Sequence, residues 1–189
     1  MSSCVSQSRS GGQFTDGSYF GNLKINFNDP NNTSREGLPA ITSLFNATQE
    51  DINDQIGYIG LPEAIESAVS YQFNVPTTGL SGAFNFFFKT WVYATVDGVV
   101  PNLTCDYTIL GAASDTILKN ISGSTTGSAS LNIPITNLNA NDYVQATLLP
   151  GTGITVQPGD QVHVKVKRVA GSSYAGTIGL MNTIYLLEK

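Results

Sequence analysis

From Ala68 onward the chain places apolar residues at every second position, in runs separated by clusters of turn-forming residues. Val69, Tyr71, Phe73 and Val75 alternate up to Pro76. The cluster Thr77-Thr78-Gly79-Leu80-Ser81-Gly82 then leads into a long run over residues 83–96, which stops at Asp97-Gly98. Further runs cover residues 103–110, 115–119, 128–135, 143–149, 161–169 and 177–187. A period of two is the pattern of a strand with one buried face, and the intervening Gly, Pro, Asn and Asp residues supply turns. Eight antiparallel strands with some long connections predict an all-β, jelly-roll-like β-sandwich, with an immunoglobulin-like sandwich as the next candidate.

Two of these runs say more about their surroundings. In Val162-His163-Val164-Lys165-Val166-Lys167 the valines point one way and His163, Lys165 and Lys167 the other, as in a half-solvated sheet. In the run through Phe84 to Val96, Phe84, Phe86, Phe88, Val92 and Ala94 share one face, while Phe87, Trp91 and Tyr93 share the other. Three large aromatics are not ordinarily offered to water together, so Phe87, Trp91 and Tyr93 are expected at a contact with another subunit or with the N-terminal arm.

The first third reads differently. Residues 1–18 are rich in Ser, Gly and Gln and carry almost nothing to bury. Residues 19–27 alternate, with Leu23, Ile25 and Phe27 on one side, before Asn28-Asp29-Pro30-Asn31-Asn32 breaks the pattern as a turn. Thr48 with Asp51 three positions on predicts one short helix ending near Gln55 or Ile56. Phe20, Phe27, Leu44, Phe45, Ile56 and Tyr58 are too few for a separate core but sufficient to dock on something larger. Residues 1–67 are therefore expected to form an extended arm, and residues 68–189 the sandwich domain.

Charge supports that division. The 189-residue chain has a net charge of −5, all of which lies in residues 1–67; residues 68–189 are neutral. Ser, Thr, Asn and Gly make up 72 of the 189 residues and charged residues only 12%, a composition that excludes helical bundles and coiled coils. The acidic balance argues against a nucleic-acid binder, which needs cations to displace phosphate counterions. No apolar run is long enough for a membrane-spanning helix, and residues 1–7 lack the basic start and apolar core of a signal peptide. Cys4 and Cys105 are expected to be free thiols.

Candidate chemistry is sparse. One His and two distant Cys cannot make the usual imidazole or thiolate metal site. His163 lies between two valines and reads as an outer-face residue rather than a catalytic base. Neither a phosphate-cradling G-x-x-x-x-G-K-[ST] nor a G-x-G-x-x-G stretch is present. Glu50, Asp51 and Asp54 cluster at the expected helix start, where acidic residues favour the dipole. Asp97, Asp142 and Asp160 stand in turns. The segments 28–32 and 137–142 hold oxygen donors suited to calcium but lack the EF-hand order. No catalytic residue, metal or cofactor is expected.

The stretch Pro158-Gly159-Asp160-Gln161 through Arg168-Val169, followed by Tyr174-Ala175-Gly176 and a last strand, resembles the C-terminal end of jelly-roll modules in tailed-bacteriophage virion proteins. Tyr71-Gln72-Phe73-Asn74-Val75-Pro76, a Gly-containing turn and the long aromatic strand through Trp91 to Asp97 resemble their opening strands. The likeness spans residues 68–189. Family modules often carry an Asp just before Tyr-x-Gly; Ser172-Ser173 stand there in this chain. The resemblance implies a non-enzymatic virion component, commonly a homotrimer, made in the host cytoplasm and located on the capsid surface, where a cement or decoration protein docks on the major capsid protein through its arm. The alternative implied is a tail-fibre or appendage protein that binds a host-surface receptor or glycan through the loops at residues 111–114, 123–128 and 171–173.

Overall fold

The computed structural model describes residues 24–25, 34–53, 56–77, 82–111, 125–148 and 154–188. Among these it contains strands and turns and no helix. The strands are β1 (Lys24–Ile25), β2 (Ser34–Gly37), β3 (Ala40–Phe45), β4 (Thr48–Asn53), β5 (Ile56–Leu61), β6 (Ser67–Asn74), β7 (Phe84–Ala94) and β8 (Gly98–Val99). They continue as β9 (Leu103–Leu110), β10 (Thr125–Asn132), β11 (Asn137–Leu138), β12 (Tyr143–Leu148), β13 (Ile154–Val156), β14 (Gln161–Arg168) and β15 (Ile178–Glu188). The strand expected at 115–119, the turns at 28–32 and 78–81, Cys4, Phe20, Phe27 and Asp54 lie outside the described residues.

The chain is an antiparallel, jelly-roll-like β-sandwich. One sheet runs β1-β2-β15-β7-β12, with β13 on the far end of β7 and the β4–β5 hairpin joined through β5 to β15. The other runs β9-β14-β6-β3. β10 belongs to both, pairing β9 through Thr125–Ser130 and β12 through Leu131 and Asn132. Ile133-Pro134 then ends it, since Pro has no N–H to donate to a ladder.

Between the sheets lies one apolar core. The inward residues of β7, Phe84, Phe86, Phe88, Val92 and Ala94, are at most 2% exposed. Phe73 stacks flat on Tyr185, with ring centroids 3.9 Å apart, and meets Phe86 at 5.2 Å. Val162, Val164 and Val166 of β14 complete the opposite wall. Burial of each such side chain contributes about 1.5–3 kcal/mol, which is why the alternation fixes the faces.

Strands from the first third enter both sheets: β2 and β5 pair β15, and β3 pairs β6. The short helix expected after Thr48 does not form. Residues Thr48–Asn53 are an extended strand in a hairpin with β5, register Glu50 to Tyr58. The cap-like Thr48 hydroxyl instead donates to the Glu50 carboxylate at 2.7 Å, and the Tyr58 hydroxyl donates to the same carboxylate at 2.5 Å. A cross-strand partner thus replaces the backbone amides a helix cap would serve.

Candidate interaction site

The aromatics of β7 that face away from the core form the centre of a broad outer face. Trp91 lies opposite Gln145 of β12 and Met181 of β15; Tyr93 lies opposite Tyr143 and Gly179. Gly179 explains how the face is covered at one end. A Cβ there would stand 2.6 Å from the Tyr58 ring, so only glycine lets Tyr58 of β5 cross β15 and reach Tyr93. The two rings sit 5.1 Å apart. Tyr93 is 7% exposed, and its hydroxyl donates to Asn141 Oδ1 at 2.8 Å. Trp91 packs edge-on against Tyr143 at 5.4 Å, and Tyr143 itself remains 65% exposed. Phe87 is half-buried across from Leu186.

A second exposed region is the edge built by β3 and the β4–β5 hairpin. β3 pairs β6 on one side and β4 pairs β5; among the described residues the other edge of each is open. Ile41, Leu44 and Phe45 on β3 are 48%, 42% and 51% exposed, and Ile52 and Ile56 on the hairpin 38% and 43%. Strand β3, Ala-Ile-Thr-Ser-Leu-Phe, carries neither the charge nor the proline with which exposed edges ordinarily resist pairing. Asn46, in the left-handed region at φ 51°, turns the chain from β3 into β4, its side-chain amide donating to the Glu66 carbonyl at 2.9 Å.

Between these strands opens a cleft of about 550 Å³. Leu38, Pro39, Ile41, Ile59, Leu180 and Met181 give apolar walls; Gln49, Glu50, Asp51, Asn182 and Thr183 give polar groups; Gly57, Tyr58 and Tyr71 complete the lining. A bulge in β15 shapes its floor. Pairing with β7 shifts register between Met181 and Ile184, and Asn182 takes a left-handed conformation at φ 44°. The outer partner of β15 changes at the same place, from β5 to β2. Thr183 Oγ1 donates to the Tyr71 hydroxyl at 3.2 Å and lies 3.0 Å from Thr90 Oγ1, which reaches the Met181 carbonyl at 3.2 Å. Burial pushes the Tyr71 hydroxyl up to about 12, so it stays neutral. The hydrogen bonds from Tyr58 and then Thr48 hold the Glu50 carboxyl below its ordinary value, so the cleft carries ionised acid.

Elsewhere the polar groups are consumed by structure. Arg168, at the inward-facing end of β14, is fully buried. Its Nη1 donates to the carbonyls of Leu61 at 2.8 Å and Gly176 at 2.5 Å, Nη2 to Ser172 Oγ at 2.9 Å and the Tyr174 carbonyl, and Nε to Ser172 Oγ at 3.1 Å. All five guanidinium donors are therefore engaged. Ser172 occupies the place where an Asp was expected from the resemblance, and backbone carbonyls complete the shell. The Tyr174 hydroxyl closes the neighbouring turn, donating to the Val96 carbonyl at 2.8 Å and accepting from its N–H at 2.9 Å.

The remaining candidates are dispersed. His163 is half-buried on the outer face of β14, opposite Gln72 and Thr108, and desolvation lowers its pKa. Lys165 lies over the Phe45 ring at 5.6 Å, and Lys167 bonds Asp106 at 2.6 Å. Asp97 accepts from the Ala140 N–H, Asp142 from the Asn139 N–H and Asp160 from the Gln157 N–H, each fixing a turn. Cys105 is buried, and burial pushes its thiol up, away from a reactive thiolate. No cluster of three His, Cys, Asp or Glu suited to a metal exists among the described residues.

No protein-family model matches the chain. No curated protein sequence matches it either. Among solved structures it is similar to a family 35 carbohydrate-binding module from Clostridium thermocellum, at 13% identity and TM-score 0.42, covering 78% of this chain and 96% of that one. A mannan-recognising module, TmCBM27, gives 13% identity and TM-score 0.37 over 90% and 97% of the two chains. A chain of infectious bursal disease virus, Gx strain, gives 7% identity and TM-score 0.35 over 82% of this chain and 38% of that one. These likenesses are of β-architecture.

Proposed function

We propose that this protein is a non-enzymatic structural component of a tailed-phage virion, a trimeric cement or decoration protein that docks on the major capsid protein and stabilises the shell. The observation supporting docking is β3, where Ile41, Leu44 and Phe45 are 42–51% exposed on a strand whose outer edge is open among the described residues. Such an edge offers a partner both a hydrogen-bonding ladder and an apolar strip. Residues with catalytic potential are instead tied into turns, as with Asp97, Asp142 and Asp160. Trimeric association places three such edges around an axis, so weak individual contacts sum to firm attachment.

The test is the copy number of the chain in purified virions, relative to the major capsid protein, by quantitative mass spectrometry. A fixed ratio spanning the capsid lattice is the expected result. Absence from virions overturns the proposal. Sedimentation of the free protein tests the trimer: a mass three times that of the chain is expected, and a monomer contradicts it.

One observation favours a second reading, an appendage protein that binds a host-surface receptor or glycan. The Trp91–Tyr143 pair presents a largely exposed ring beside the Gln145 amide, and ring faces with nearby amides suit sugars. A few copies per virion, with glycan-array binding lost in Tyr143→Ala, would select this reading over cement.

A further inference from the structure

We propose that the cleft between β3 and the β4–β5 hairpin receives a lysine or arginine side chain from the partner protein. The inference rests on the docking reading above and adds the chemistry of the partner. Leu38, Pro39 and Ile41 make one apolar wall, and Glu50 and Asp51 of β4 stand on the lining. Among the described residues the lining contains no Lys, Arg or His, and neither carboxylate is paired with a cation.

Two features direct the choice of occupant. First, the charge is one-sided. Glu50 is held ionised by the Tyr58 and Thr48 hydroxyls, whose protons are already donated to it, and Asp51 adds a second negative charge. An anionic group entering here meets repulsion, with no compensating cation among the described lining residues. Second, the apolar walls favour a group that carries its charge at the end of a hydrocarbon stem. Lysine and arginine combine those properties, laying methylenes along apolar surface while the head reaches a carboxylate. A small hydrated metal ion would use none of the apolar wall. The open edges of β3 and β4 lie beside the cleft, so a partner segment pairing there can deliver a side chain into it.

The experiment uses the full chain, isotopically labelled, titrated with Nα-acetyl-lysine methylamide and Nα-acetyl-arginine methylamide and followed by NMR. The neutral Nα-acetyl-glutamine analogue and a neutral disaccharide, cellobiose, serve as controls. Saturable shifts confined to Glu50, Asp51, Gly57 and Asn182 are expected with the basic probes alone, weakening as salt is raised. Asp51→Asn, an exposed change, should weaken binding about 2- to 5-fold, the range of a single partly exposed charge pair. Glu50→Gln is the second variant, its fold verified by an unchanged melting temperature. Shifts with cellobiose but not with the basic probes would overturn the proposal in favour of a saccharide site. An absence of saturable shifts with any probe would overturn it outright. In both cases the virion copy number remains a separate measure, so the docking reading can survive the loss of this one.

Discussion

The Arg168 turn and the β3–β4–β5 edge are built to opposite ends. Around Arg168 every donor has a carbonyl or hydroxyl, Tyr174 is fully buried, and two segments distant in sequence, Leu61 and Gly176, are joined through one guanidinium. Along β3, five of six residues are exposed, Ile41, Leu44 and Phe45 among them, and among the described residues the ladder ends there without a further partner. A buried cation with complete hydrogen bonding closes a region, because any other arrangement costs the desolvation of its partners. An uncharged strand with open apolar side chains does the reverse. The contrast separates what the fold needs internally from what it keeps for another molecule.

The strongest way to break the closed side is to remove its cation. Arg168→Met removes the donor that serves the carbonyls of Leu61, Tyr174 and Gly176, two of these bonds buried and one partly so, and should cost about 3–5 kcal/mol in urea unfolding. Arg168→Lys should recover only part of this, because three donors on one nitrogen cannot span positions that the planar fork reaches. Full recovery by Lys would show that charge alone, not the fork, closes the turn.

A smaller loss is expected from Tyr174→Phe. The hydroxyl serves both the N–H and the carbonyl of Val96, so its removal should cost about 1–3 kcal/mol by chemical denaturation. An unchanged stability would mean that water replaces it and that the turn is less closed than its geometry implies.

On the open side the expectation inverts. Ile41→Ser combined with Leu44→Ser should change stability by no more than about 1 kcal/mol, since both side chains are already 42–48% exposed. The same double variant should lose attachment to capsids in a pull-down at a concentration where the parent binds. Retained attachment would move the docking surface away from β3. Unfolding would show that the edge belongs to the closed part of the molecule.

How far this contrast was legible in the sequence depends on which face a residue serves. The alternation Val162, Val164, Val166 against His163, Lys165, Lys167 predicts both faces of β14, and 103–110 coincides with β9. Continuing the same count places Arg168 on the core face, although a charged residue at a strand end ordinarily reads as solvated. Thr48-Gln49-Glu50-Asp51 is misleading for a physical reason. Local hydroxyl and carboxylate groups suit a helix cap, but Tyr58 across the hairpin competes for Glu50, and tertiary pairing outweighs the local preference. β13, three residues long, is too short for periodicity to register. The cleft was out of reach for another reason. Its lining comes from the link between β2 and β3 and from β3, β4, β5, β6 and β15, and its floor depends on the left-handed Asn182, which no spacing rule places.

The smallest expected effect lies on the outer face between the two regions, in the Lys167–Asp106 pair. Burial pushes the Asp106 carboxyl up, but the Lys167 ammonium at 2.6 Å and the Ser128 hydroxyl at 2.7 Å outweigh it and hold the group below its ordinary value. A carboxyl whose folded pKa is depressed contributes stability above its unfolded value, near ~3.9, and loses it as pH falls through the folded value. The same hydrogen bond raises Lys167, whose contribution is complete below its unfolded value, near ~10.4, and disappears as pH rises through the folded one. The pair should therefore contribute a plateau between these limits. With the side chains 26% and 38% exposed, solvent screens the attraction, and the plateau should stand below about 1 kcal/mol. Comparing wild type, Asp106→Asn, Lys167→Met and the double variant in urea at about pH 7 and about pH 3 isolates the coupling. It should be measurable at the first pH and smaller at the second. A coupling equal at both would assign the effect to packing between β9, β10 and β14 rather than to charge, and the outer face would then join the closed part of the molecule.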